Sequence, residues 1–205
     1  MILYGLLDSP FARRIAVTLD IYGIAFERRP LSVFRDFDAM LGIHPLGKAP
    51  SLQLSDGTIL VESQIIAEHL DELAPDRTCL LPKDPATRIA MRSALGVAIA
   101  LAEKSIALRI ERAREGRGTG DPEWLTRLPR QVAGALAALD RRLDGRTWLA
   151  GDAMTHADIA AAIAWTDGSN KIADMLPADR YPRLAALNAR CEALPAFRAY
   201  PFMNG

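Results

Sequence analysis

Cysteine is scarce in this chain. Cys79 and Cys191 are the only two, too few for a disulfide framework. Neither falls in Ser9-Pro10-Phe11-Ala12, which has the outline of a Cys-Pro-x-Cys redox motif without its sulfurs. That excludes thiol–disulfide exchange at this segment. Surplus charge is also lacking. Basic and acidic residues number 25 each, for a formal net charge of zero. Binding a phosphate backbone calls for a basic surplus, so no nucleic-acid partner is expected. No apolar run reaches the ~20 residues of a membrane span, so no membrane partner is expected either. Met1-Ile2-Leu3-Tyr4 lacks the basic flank and small-residue cleavage site of a secretory signal, and the expected compartment is the cytoplasm. His44, His69 and His156 show no metal-ligand spacing with one another or with the cysteines, and no metal is expected. There is no repeat of fixed period and no low-complexity tract.

What is present is a chain of 205 residues, half of them hydrophobic, long enough to bury a core as one or two domains. Ile2-Leu3-Tyr4 reads as a short strand. Ser9 can cap a helix that Pro10 opens. Ile15, Ala16, Leu19 and Tyr22 fall at helical spacing, and Gly23 ends the helix. Phe26 to Leu31 reads as a second strand, parallel to the first because a helix joins them. Phe34, Phe37 and Leu41 suggest a short helix over 34–41. Ser51–Leu54 and Thr58–Val61 flank Asp56-Gly57 as a hairpin. Ile65, Ile66, His69, Leu70 and Leu73 give the apolar stripe of the next helix. The order βαβα then ββα is that of a thioredoxin-like domain.

The stretch from Ala74 to Pro85 has the Pro- and Asp-rich composition of a linker. Strand signals then vanish. Pro85 opens a long helix toward Glu115, and Gly116, Gly118 and Gly120 break it. Asp121 caps a helix to about Leu143. Thr155 starts another, centred on Ile159 to Trp165, and Leu184–Leu194 and Pro195–Tyr200 follow. Thr155-His156-Ala157-Asp158 reads as a capping box, with Met154 and Ile159 placed as a staple. Its role is in folding. The polar run Thr166–Asn170 departs from a smooth helical pattern. Arg13 and Arg14 read as a solvated or domain-interface pair. The expected division is a thioredoxin-like α/β domain over 1–78 and an all-α domain over 84–205.

Three short stretches have the residue types for chemistry. Ser9 sits where helix N–H groups and the macrodipole favour an anion, and it also suits a plain cap. Glu62-Ser63, at another helix start, suits an α-amino acid zwitterion: hydroxyl and N–H for the carboxylate, Glu62 for the ammonium. Ala49-Pro50 opens a strand, and a cis bond there would aim the Ala49 backbone outward.

Taken together, Ser9-Pro10-Phe11 after a strand, Gly47-Lys48-Ala49-Pro50 before one, Glu62-Ser63 at a helix start and Gly151–Ile159 resemble the cytosolic glutathione S-transferases. The resemblance runs over the whole chain, with the motifs in the family's order. It implies a cis Ala49-Pro50 bond and glutathione as co-substrate. It implies Ser9 as the group that activates the thiol, with Tyr4 as its competitor. It implies Phe11, Lys48, Ala49, Pro50, Glu62 and Ser63 as glutathione-binding, with Arg35 a weaker basic candidate. A small hydrophobic electrophile would sit in the helical half, where Trp165, Met175, Phe202 and residues 95–108 are candidates, with Phe11 from the first loop. A homodimer is implied as well. Two activities stay open: a transferase conjugating glutathione to the electrophile, or a glutathione- or ligand-binding protein of the same fold without turnover.

Overall fold

A computed structural model of the chain describes residues 1–74 and 80–203. The elements are β1 (Ile2–Tyr4), α1 (Pro10–Ile21), β2 (Glu27–Arg29), α2 (Phe37–Ile43), β3 (Ser51–Gln53), β4 (Ile59–Val61), α3 (Ser63–Leu73), α4 (Pro85–Glu115), α5 (Pro122–Arg142), α6 (His156–Lys171), a 3-10 turn (Ala173–Met175), α7 (Pro182–Glu192) and α8 (Pro195–Ala199). They gather into two compact units, Met1–Leu80 with Ala193–Gly205, and Leu81–Glu192. A linear division into 1–78 and 84–205 does not contain that return of the chain end to the first unit. Cys79 and residues 75–79 of the expected linker lie outside the described residues.

The first unit has a thioredoxin-like architecture. Its sheet runs β2-β1-β3-β4. The helix-linked pair β1 and β2 is parallel, with Leu3 opposite Arg28. The pairs β1/β3 and β3/β4 are antiparallel, with Leu52 between Leu3 and Leu60. Side chains alternate along a strand, so these residues share one face, and Leu3 and Leu52 are buried there. In α1 the predicted stripe is buried: Ile15, Ala16 and Leu19 fully, Tyr22 nearly so. A fully buried Leu or Ile contributes roughly 1.5–3 kcal/mol, so these residues hold α1 to the sheet.

Four expectations are corrected in this unit. The helix placed over 34–41 runs instead over Phe37–Ile43, because Asp36 accepts from Ser32 N–H and Ser32 Oγ from Phe34 and Arg35 N–H, winding 32–36 as a turn. Phe34 is left 74% exposed. The buried face of α3 is Ser63, Ile66, Ala67, Leu70 and Asp71, with Ile65 and Leu73 outward. Two apolar rows share this helix, and packing chose the row with the small Ala67. Arg13 and Arg14 are not solvated: they are 1% and 2% exposed. Arg13 Nε donates to the Tyr200 carbonyl at 2.7 Å and its guanidinium lies over the Phe197 ring. Phe202 also belongs to this unit rather than to the helical one.

The second unit is helical. In α4, which has 31 residues, Met91, Ala94, Leu95, Ala98, Leu101, Ala102 and Leu108 make a continuous buried seam. In α5, Pro129 cannot donate a helix bond, a loss of about 3 kcal/mol or more. The helix continues because Leu128, Val132, Leu136 and Leu139 bury its inner face. In α6 every residue from His156 to Trp165 is buried, as expected of a helix apolar all round. The capping box is formed: Asp158 Oδ2 accepts from Thr155 N–H at 2.8 Å, and Oδ1 from Leu149 N–H at 2.8 Å. The run Thr166–Asn170 does not break α6. Asn188 Nδ2 donates to Thr166 Oγ1, which donates to Glu192, so Thr166 is spent on α7, while Asp167 pairs with Lys171 and Asn170 donates to the Thr166 carbonyl within α6. Gly168 lets Leu176 lie against the helix, where a Cβ would meet it at 2.9 Å.

Candidate functional site

The site candidates lie in the first unit, and a glycine sets their spacing. Gly5, just after β1, has φ +135°, and a Cβ there would come within 3.0 Å of Ala12 Cβ and 3.1 Å of Ala49 Cβ. The start of α1 and the Ala49 loop thus both close on the end of β1. A glycine directly after a strand was the available sequence signal for this position, which the motif reading passed over.

Ser9 caps α1, its Oγ accepting from Ala12 N–H at 3.3 Å. That bond uses an oxygen lone pair and leaves the hydroxyl proton to be donated elsewhere. Tyr4 differs. Its hydroxyl donates to Gln53 Oε1 at 2.8 Å, and Arg29 Nη1 reaches it at 3.5 Å with the guanidinium over the ring. Phe11 is half-buried in the first turn of α1.

The Ala49–Pro50 peptide is cis. Pro50 is buried ahead of β3, and Ser51 Oγ donates to the Lys48 carbonyl at 2.7 Å. Lys48 Nζ forms an ion pair with Glu62 Oε1, both side chains being substantially exposed. Two residues fourteen apart in sequence thus meet. Glu62 has φ +72°, the one positive φ at a non-glycine among the described residues. A bulky residue in that region is strained, and here the strain falls between β4 and α3. Arg35 is exposed in the turn before α2.

Ser63 is buried as the first residue of α3. Beneath it lies Arg14, whose Nη1 donates to Ser63 Oγ at 3.4 Å and Nη2 to Gln64 Oε1 at 2.9 Å. Burial brings the Arg14 pKa down to about 10, with the charges of Asp71 and Glu68 opposing the shift. The guanidinium therefore stays protonated at neutral pH. Asp71 in turn holds the Tyr22 hydroxyl. A buried arginine under a helix start was not read from the sequence, since an Arg-Arg pair looks the same solvated or buried.

Trp165 is buried within the second unit and Met175 half-buried in its 3-10 turn. Cys191 is buried there, its thiol pushed up to about 12 chiefly by desolvation. Among the described residues no helix is long and apolar enough to cross a membrane.

Comparison with known proteins agrees with this architecture. The family model for the glutathione S-transferase N-terminal domain matches residues 3–78, and that for the C-terminal domain matches residues 108–195. A crystal structure of a glutathione S-transferase from Methylobacterium radiotolerans, in complex with glutathione sulfonate, superimposes with a TM-score of 0.91. It is 31% identical, covering 100% of this chain and 96% of that one. A maleylacetoacetate isomerase from Pseudomonas aeruginosa is 27% identical over 98% of this chain and 96% of its own length. A crystal structure of maleylacetoacetate isomerase from Methylobacterium extorquens, with bound malonate and glutathione, has a TM-score of 0.77 and 26% identity, over 98% of this chain and 95% of that one.

Proposed function

The chain belongs to the glutathione S-transferase family, and from that premise we propose that it is an enzyme that ionises the glutathione thiol and conjugates it to a small hydrophobic electrophile. The observation that carries the reading is the contrast between two hydroxyls. Ser9 has its oxygen on a helix N–H and its proton free to donate, whereas the Tyr4 proton is committed to Gln53. A thiolate placed before α1 takes the Ser9 proton as a hydrogen bond and the positive end of the helix dipole as its field. Phe11 and the cis Ala49–Pro50 segment flank the tripeptide, the Ala49 backbone pairing with its cysteinyl part as an added strand does. Lys48 takes the glycyl carboxylate. Ser63 and Glu62 take the γ-glutamyl carboxylate and ammonium, so ligand binding trades the Lys48–Glu62 ion pair for two ion pairs to the ligand. A homodimer in the cytoplasm completes the reading.

The similarity to the two isomerases favours a second reading of the same site. The thiolate adds to a conjugated carbon–carbon double bond, the resulting single bond rotates, and expulsion of the thiolate restores the double bond with glutathione unconsumed. One assay separates these readings from a binder without turnover. The protein is retained on immobilised glutathione in all three cases. Loss of free thiol with a chlorodinitrobenzene-type electrophile marks conjugation. Loss of the cis-diene absorbance of a maleyl-type substrate at constant free thiol marks isomerisation. Retention with neither signal overturns the enzyme reading.

A further inference from the structure

We propose that Arg14 is a positioning residue for Ser63 that makes the start of α3 selective for a carboxylate over its neutral amide. The inference rests on the reading above, in which Ser63 receives the γ-glutamyl carboxylate. Arg14 comes from the middle of α1 and is buried, yet it ends 3.4 Å from the hydroxyl oxygen of the first residue of another helix. A guanidinium has donors and no acceptor. Its bond to Ser63 can use only an oxygen lone pair, which turns the Ser63 proton away from Arg14 and toward whatever lies before the helix. The partner that proton needs is an acceptor. The N-terminal N–H groups of α3 ask for the same partner, because each is a donor with no helical acceptor.

Charge adds to direction. Asp71 and Glu68 offset the Arg14 charge in part, and Asp71 also serves the Tyr22 hydroxyl. Nη1 and Nη2 go to the side chains of Ser63 and Gln64, so the guanidinium is aimed at the first turn of α3. A carboxylate facing Ser63 meets a hydroxyl donor, helix N–H groups and this cation behind them. A carboxamide in the same place brings its own N–H donors against the same three groups and forms no charge-assisted bond.

The test is calorimetric titration of the full-length protein with glutathione and with its analogue carrying a carboxamide in place of the γ-glutamyl α-carboxylate. Wild type is expected to prefer glutathione by roughly 10–100-fold, the range of a lost charge-assisted hydrogen bond. Arg14→Met, which keeps the stem, should bind glutathione about tenfold or more weakly and the amide as wild type does. The ratio then collapses, and Arg14→Lys restores part of it. Adding Ser63→Ala to Arg14→Met should cost little more than Arg14→Met alone. A lowered melting temperature with the wild-type ratio intact would make Arg14 structural only and sink the proposal. A second measurement needs no substitution: the Arg14 guanidinium NMR resonances of wild type should shift at saturating glutathione and stay put with the amide. Resonances indifferent to glutathione overturn the proposal even where Arg14→Met does not fold. Wild type binding both ligands equally removes Ser63 from the carboxylate and the proposal with it, while leaving glutathione binding standing. Wild type binding neither brings down the underlying reading as well.

Discussion

In the first unit the most deeply buried charges are the cations Arg13 and Arg14, with Asp71 close to Arg14; in the second they are the carboxylates Glu111, Asp140, Asp158 and Asp167. Asp167 pairs with Lys171 one turn on; the other three carboxylates serve the backbone. Asp158 accepts from Leu149 and Thr155 N–H, and Asp140 from Arg183 and Leu184 N–H at the start of α7. Glu111 accepts from Asp121 N–H, tying the loop before α5 to α4. Each satisfies donors that a helix start or loop leaves open. The arginines divide. Arg13 anchors the chain end through the Tyr200 carbonyl, while Arg14 reaches the hydroxyl that begins α3. Buried charge in the helical unit therefore stabilises. In the sheet unit part of it faces a helix start that the proposed function fills with an anion. Removing a polar group from a helix start should accordingly lower stability in the helical unit and activity in the sheet unit.

The largest effect is expected at Ser9. A free thiol with pKa ~8.5 is only about 3% ionised at pH 7. A charge-assisted bond from Ser9 contributes roughly 1.5–3 kcal/mol and the helix start about 0.3–1 more. Together they bring the bound thiol down by about 1.5–3 units, since one unit is ~1.36 kcal/mol. Ser9→Ala should lower kcat/KM by about 10–100-fold at neutral pH, with much of the loss recovered at high pH, where bulk base supplies the thiolate. Thiolate absorbance of bound glutathione against pH checks this. Coincident curves for wild type and variant would reduce Ser9 to a cap.

A middle-sized effect is expected in the helical unit. Thr155→Ala or Asp158→Ala should each lower stability by about 0.5–2 kcal/mol, as lost caps do, with turnover per folded molecule unchanged. Chemical denaturation and active-site titration read the two separately. Unchanged stability with reduced turnover would erase the contrast between the units.

The smallest concerns acid. Asp174 is held below the usual carboxylate range by hydrogen bonds from Arg112, with desolvation opposing. A carboxylate lowered in the folded state binds fewer protons there than in the unfolded chain. Its stabilisation is thus complete above the unfolded pKa of ~3.9 and is lost as pH falls through the lower folded value. The pair is solvent-exposed, so the loss should be about 0.2–1 kcal/mol. Urea midpoints at pH 7 and pH 3 should show that extra loss in wild type and not in Asp174→Asn.

What the sequence determined by itself is what covalent neighbours decide. A cap and the donor it serves lie within three residues, so Ser9, Asp121 and Thr155 could all be placed as helix starts, and each accepts its predicted kind of N–H bond. The Asp56-Gly57 hairpin follows from a chain length as short, and the parallel pairing of β1 with β2 from the helix that joins them. The motifs that carry the family resemblance are local in the same sense, and the family was legible from them. Tertiary structure decided everything that depends on which surfaces meet. It chose between the two apolar rows of α3, joined Thr166 of α6 to α7, and brought the chain end back to α1. It turned Arg14 from an apparent surface charge into a buried cation under Ser63. None of these is written in local spacing, because the contacts that select them join residues from 22 to 187 positions apart, beyond the reach of any local pattern.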